Sequence, residues 1–129
     1  MGDDISVTIR INGHPVAKER PRVTRTGGTF TPKRTADYET AIANAWREQY
    51  GDLQLGGKLE AFCYFGSYTH VKQDVDNLAK SALDGLQKAG AFVNGDEQVY
   101  RLTASKYPST REGEHTIIDL RFLEYDGDA

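Results

Sequence analysis

The chain has one cysteine, four prolines and no long apolar run, and each scarcity removes a class of protein. A lone Cys63 cannot form an internal disulfide or build a zinc site by itself, so neither a stapled secreted domain nor a zinc module is expected. Its expected place is a small buried position in a strand. No segment approaches the roughly 20 apolar residues that a membrane-spanning helix needs. The first residues, Met1-Gly2-Asp3-Asp4, are acidic where a secretory signal would be basic and then apolar, which predicts a cytoplasmic protein. A basic excess is also missing: the formal net charge is −3. On average, that is unfavourable for a nucleic-acid partner.

What is present fits one soluble α/β domain of 129 residues, 38% hydrophobic and 27% charged. The charge is unevenly distributed. Between His14 and Arg34 lie Lys18, Arg20, Arg22, Arg25, Lys33 and Arg34, against the single acid Glu19. Acids gather at the termini (Asp3, Asp4, Glu124, Asp126, Asp128) and in a central motif. Phosphate binding depends on local basic surface, so these six cations are the candidate DNA contacts; a solvated loop is the plainer reading.

Hydrophobic periodicity orders the elements. Ile5 to Ile11 alternates as a strand with one buried face, and Asn12-Gly13 turns it. The Pro15–Pro32 stretch reads as a basic loop in which Gly27-Gly28 closes a short hairpin. A helix is predicted over 35–50, with Thr35 as N-cap and Gly51 as stop. A strand follows over 59–68, then a second helix over 77–88 with Asp76 at its cap and Gly90 at its end. Strands over 99–107 and 115–123 close the chain. The expected architecture is α+β: a mixed, largely antiparallel sheet with two helices.

The chemistry concentrates in Gln73-Asp74-Val75-Asp76-Asn77-Leu78-Ala79-Lys80. At a strand end, Asp74 and Asp76 would project to the same side. Two carboxylates so close favour a cation between them, and Mg²⁺ takes oxygen ligands of this kind. Lys80, one helical turn beyond Asp76, could offset phosphate charge. The Asn94-Gly95 turn introduces Asp96-Glu97, and an antiparallel neighbour strand would bring Asp96 beside the pair. Three carboxylates and a lysine around Mg²⁺ are one solution to phosphodiester hydrolysis. Each residue alone also has a plain role as cap, turn residue or solvated helix position. Spacing discards an EF-hand, whose loop would need a glycine where Ala79 stands. No Glu-x-Lys or Asp-x-Lys follows to make a PD-(D/E)xK core. Asp84 can hold Lys80 at i+4, although an exposed helix acid is its ordinary reading. His70 and His115 read as strand-end residues, and Tyr64, Phe65 and Tyr68 as core and interface.

Asp74-Val75-Asp76-Asn77-Leu78-Ala79-Lys80, continuing through Asp84 and Leu86 to Ala89-Gly90 and Asp96-Glu97-Gln98-Val99, resembles the signature of the RusA-type Holliday junction resolvases. Gly13-His14-Pro15 with Lys18, Arg20, Pro21 and Arg22, the Thr29–Pro32 stretch and Tyr38-Glu39 are similar to that family too. The resemblance implies a homodimeric, Mg²⁺-dependent endonuclease, with Mn²⁺ as a substitute ion, of the kind common in bacterial prophages and phages. It would resolve four-way DNA junctions by paired symmetric nicks in recombination and repair. Asp74, Asp76 and Asp96 would be the metal-binding catalytic acids and Lys80 the catalytic lysine. Asn94-Gly95 looks like a one-residue lengthening, which leaves Glu97 as a substitute for Asp96. Two further readings are a same-fold nuclease acting on other branched or flapped DNA and a catalytically silent DNA-binding phage protein.

Overall fold

Alternating apolar residues in four segments build the main sheet, and two amphipathic helices cover one of its faces. In the computed structural model, which describes residues 6–20, 22–69 and 73–123, the elements are β1 (Ser6–Asn12), β2 (Arg22–Val23), β3 (Thr29–Phe30), α1 (Lys33–Tyr50), β4 (Leu59–Ser67), α2 (Val75–Lys88), a 3₁₀ turn (Asp96–Gln98), β5 (Val99–Pro108) and β6 (His115–Phe122). The four-stranded sheet has the order β1-β6-β4-β5, and β2 and β3 form the small hairpin expected around Gly27-Gly28. His70, the terminal acids Asp3, Asp4, Glu124, Asp126 and Asp128, and the side chain of Arg22 lie outside the described residues.

The register explains the core. Val7 faces Leu120, Ile9 faces Ile118, and Cys63 faces Ile118 from the other side. Period two puts these with Leu59, Ala61 and Phe65 on one face, where Ile42 and Trp46 of α1 and Leu78, Ala82 and Leu86 of α2 bury them. Burial pushes the Cys63 thiol up to about 12, as suits an inert core residue. Phe65 joins this core, whereas Tyr64 is half-buried on the other face and Tyr68 is exposed, with the Arg111 guanidinium over its ring. His115 is buried between Tyr107 and the Gly113 carbonyl, 2.7 Å from Nδ1. No helix among the described residues is long and apolar enough to cross a membrane.

Three local expectations are corrected. α1 begins at Lys33 with Pro32 as its cap residue; Thr35 lies inside the first turn, fully buried. The proline ring pre-sets φ for a helix start, and the Thr35 hydroxyl instead reaches the Ala17 carbonyl and Glu19. α2 starts two residues earlier than its pattern suggests, so Asp74 holds the cap position and Asp76 sits in the first turn. Finally, β5 pairs with β4 in parallel, because α2 carries the chain back between them. The sheet is still mainly antiparallel, since β1/β6 and β6/β4 are.

Candidate active site

The N-terminal half of α2 carries the central motif on an exposed face. The Asp74 backbone is extended, and its carbonyl accepts the Leu78 N–H at 3.0 Å, the first rung of the helix. Neither aspartate makes a side-chain cap. Asp76 Oδ1 accepts the Asn77 N–H at 2.9 Å, and Asn77 Nδ2 lies 3.5 Å from Asp74 Oδ2. Both aspartates therefore sit at the positive end of the helix dipole, open to solvent. Hard oxygen donors in this setting fit a magnesium ion that keeps several of its waters. They do not make an all-protein cage: among the described residues, no group of three or more His, Cys, Asp and Glu side chains is arranged to hold a metal ion.

The parallel strand pairing brings Asp96 to α2 from the other end of the sheet. Asp74 follows the C-terminal end of β4, whereas Asp96 precedes the N-terminal end of β5. In a parallel pair those ends are opposite, and α2 spans the distance, about 1.5 Å per residue. Asp96 consequently meets α2 beyond its first turn. Its backbone N–H donates to Gln87 Oε1 at 3.0 Å, and its carboxylate lies 3.7 Å from Lys80 Nζ. Gly95, with φ of 84°, makes the sharp entry into this turn. The buried Gln98 amide pins the turn by donating to the Leu55 and Gly57 carbonyls, both at 2.9 Å, and accepting from Asn94. Glu97, one residue on, lines a different groove with Lys58 and Tyr100.

Lys80 lies one turn beyond Asp76, as its spacing requires, and its ammonium is 3.3 Å from Asp84 Oδ1. Asp84 is not the exposed acid of its ordinary reading: its side chain is 18% exposed, and its other oxygen lies 3.0 Å from Lys18 Nζ. Lys18, grouped by sequence with the DNA-contacting cations, is thereby placed between Asp84 and the buried Glu39, whose Oε2 is 2.7 Å away. Burial would depress the Lys18 pKa, but hydrogen bonds to Glu39 and Asp84 outweigh it and the net shift is upward.

The basic stretch is tied to the motif by a residue whose role the sequence did not reveal. Gln73 accepts the Ala17 N–H at 2.7 Å and donates to the Pro15 carbonyl at 3.2 Å. Lys18 N–H reaches the Asn77 carbonyl at 2.8 Å, and the Ser81 hydroxyl reaches the Val16 carbonyl at 2.7 Å. Residues 15–18 thus run along α2, and Arg34 shares a cleft of about 200 Å³ with Glu19, Gln73, Asp74 and Asn77. Arg20, Arg25, Lys33 and Arg34 are exposed, with Lys33 paired to Asp37 at 2.8 Å.

The comparisons with known proteins agree with the motif. The family model described as Endodeoxyribonuclease RusA matches residues 12–121. A Crossover junction endodeoxyribonuclease RusA from Aquifex aeolicus (strain VF5) is 28% identical over 109 residues, covering 83% of this chain and 84% of that protein.

Proposed function

The chain belongs to the RusA endodeoxyribonuclease family, and from that premise we propose that it resolves four-way DNA junctions by Mg²⁺-assisted phosphodiester hydrolysis. The observation that supports this reading is the exposure of Asp74 at the cap of α2 and of Asp76 and Lys80, one turn apart on the helix, within the matched segment. Asp74 and Asp76 would hold the ion, Mg²⁺ or Mn²⁺; Asp96, which reaches α2 beside Lys80, would be the third acid, with Glu97 outside the site. When bound, the ion supplies Lewis-acid stabilisation of the charge that develops on a scissile phosphate. Lys80 adds a fixed positive charge on the same helix face. Asn77 orients Asp74 and Asp76 through its side chain and backbone. Arg34, beside Asp74, is suited to grip a neighbouring phosphate; the exposed Arg20, Arg25 and Lys33 would add basic surface, and Arg22, by its place in the sequence, would be a further DNA contact.

Paired symmetric nicks need two such sites related by a two-fold axis, so a C₂ homodimer forms part of the proposal. Exposed Tyr100, Leu102 and Tyr107 on the edge strand β5 offer apolar surface for self-association. The test is cleavage of a synthetic four-way junction with and without Mg²⁺. Paired nicks that require the ion support the proposal. Cutting of flapped or other branched DNA with the four-way junction untouched would move the substrate elsewhere. No cutting of any branched DNA would refute it.

A further inference from the structure

An unbroken chain of alternating charges runs from the interface of the two helices out to Lys80. Lys88 Nζ lies 3.6 Å from Glu39 Oε1, and Glu39 Oε2 lies 2.7 Å from Lys18 Nζ. The same Lys18 ammonium is 3.0 Å from Asp84 Oδ2, and Asp84 Oδ1 is 3.3 Å from Lys80 Nζ. Lys80 ends the chain against Asp96 at 3.7 Å. Its two inner acids are its least exposed members, at 8% for Glu39 and 18% for Asp84, whereas Lys80 is 55% exposed.

The inner links stand where solvent cannot screen them well, so they hold firmly; the outer link, on a long exposed side chain, is weak by itself. A free lysine at 55% exposure samples many rotamers, and each misplaced one keeps its charge away from the reacting phosphate. Asp84 removes part of that freedom only if Asp84 is itself fixed. Gly85 supplies the condition. A Cβ there would stand 2.8 Å from Ile42 Cβ and 3.0 Å from the Glu39 carbonyl oxygen, so α1 and α2 approach closely beside Asp84. That approach brings Glu39 within reach of Lys18 and Lys88 together.

We propose that Asp84 is a positioning residue: anchored through Lys18 to the buried Glu39, it holds the Lys80 ammonium on the motif face of α2 beside Asp96. The inference rests on the nuclease reading for its consequence in catalysis, but its physical content, the ordering of Lys80, is independent of that reading.

The experiment compares the full-length wild type with Asp84→Asn, Asp84→Glu and Glu39→Gln. Single-turnover cleavage and binding of a synthetic four-way junction are measured with Mg²⁺, and the side-chain order of ¹⁵N-labelled lysine ammonium groups by NMR without DNA or metal. Asp84→Asn should lower the cleavage rate by about 10- to 100-fold with junction affinity within about twofold, since positioning acts on the chemical step. The Lys80 ammonium should become measurably more mobile in the same variant. Asp84→Glu should restore part of both. Glu39→Gln, acting two links away, should loosen Lys18 most and Lys80 less.

A rate within about twofold of wild type for Asp84→Asn overturns the proposal. So does a Lys80 signal that does not change, or equal losses in Asp84→Glu and Asp84→Asn, which would mark a merely structural acid. Should Asp84→Asn fail to fold, Glu39→Gln decides by the same two readouts. If the wild type cuts no branched DNA, the nuclease reading fails, and the NMR comparison still decides whether Asp84 orders Lys80.

Discussion

Gln73 Oε1 accepts the Ala17 N–H at 2.7 Å, joining a residue of the central motif to the basic stretch 56 positions earlier. The same side chain donates to the Pro15 carbonyl, so one amide satisfies two backbone groups of a segment that itself forms no strand or helix. Gln73→Ala should therefore destabilise the fold by about 1–3 kcal/mol, because a part-buried donor and acceptor lose their partners. Thermal unfolding and hydrogen exchange at the Ala17 amide are the checks. An Ala17 amide as protected as in the wild type would show that other contacts hold the segment.

Asp76→Asn should abolish junction cleavage and leave binding intact or improved. The change keeps the side-chain shape, weakens the oxygen donor set and lessens repulsion of phosphate. Asp76 lies in the first turn of α2, so losing its charge also removes a dipole contribution of about 0.3–1 kcal/mol, which the fold should tolerate. Cleavage by the folded variant at the wild-type rate would remove Asp76 from the proposed site.

Gly85→Ala sets two effects against each other. Alanine favours a helix interior over glycine by about 1 kcal/mol. Against that, the new methyl would stand 2.8 Å from Ile42 Cβ and 3.0 Å from a backbone oxygen that cannot rotate away. Overpacking of this kind costs about 1–3 kcal/mol, so the clash should win and the melting temperature should fall. Adding Ile42→Ala should recover part of the steric loss relative to Ile42→Ala alone, which a double-mutant cycle measures.

Lys18 predicts an alkaline dependence of stability. Its pKa is raised above the ordinary 10.5, so above that value the folded chain holds a proton that the unfolded chain has released. Its contribution is complete below 10.5 and is lost as pH rises through the folded pKa. Denaturant unfolding from neutral to strongly alkaline pH, compared with Lys18→Met, checks this. The variant should show a shallower fall above 10.5, and parallel curves would mean that Lys18 is not held as described.

Arg20 and Arg22 replaced together by Ala should weaken DNA binding and flatten its salt dependence, because a phosphate left without its arginine keeps its condensed counterion. Light scattering at micromolar concentration should still report a dimer, since these cations are expected to meet DNA and not the second copy. A monomeric wild type that nicks both strands in a concerted way would defeat the two-site arrangement.

Local sequence determined the elements because their signals are local. Alternation marks β1 and β6, three- and four-residue spacing marks α1 and α2, and Gly51 stops α1 with φ of 66°. The Asp74-Val75-Asp76-Asn77 motif, the following Lys80 and the resemblance they carry were equally legible. Helix starts were less so: Pro32 and Asp74 took the cap positions that Thr35 and Asp76 were expected to hold, because a helix can begin at several neighbouring residues at little cost. Strand direction was not legible at all. Whether β5 lies parallel or antiparallel to β4 depends on where α2 returns the chain, and that decision sets Asp96 against α2 beside Lys80 and Gln87. The roles of Lys18, Glu39 and Asp84 were hidden for the same reason. Lys18 looked like one more cation in a basic stretch until tertiary packing put two carboxylates against it, from residues 21 and 66 positions away. Charge type is written in the sequence, but whether a charge meets water, DNA or a buried partner is fixed only when distant segments pack and exclude solvent between them.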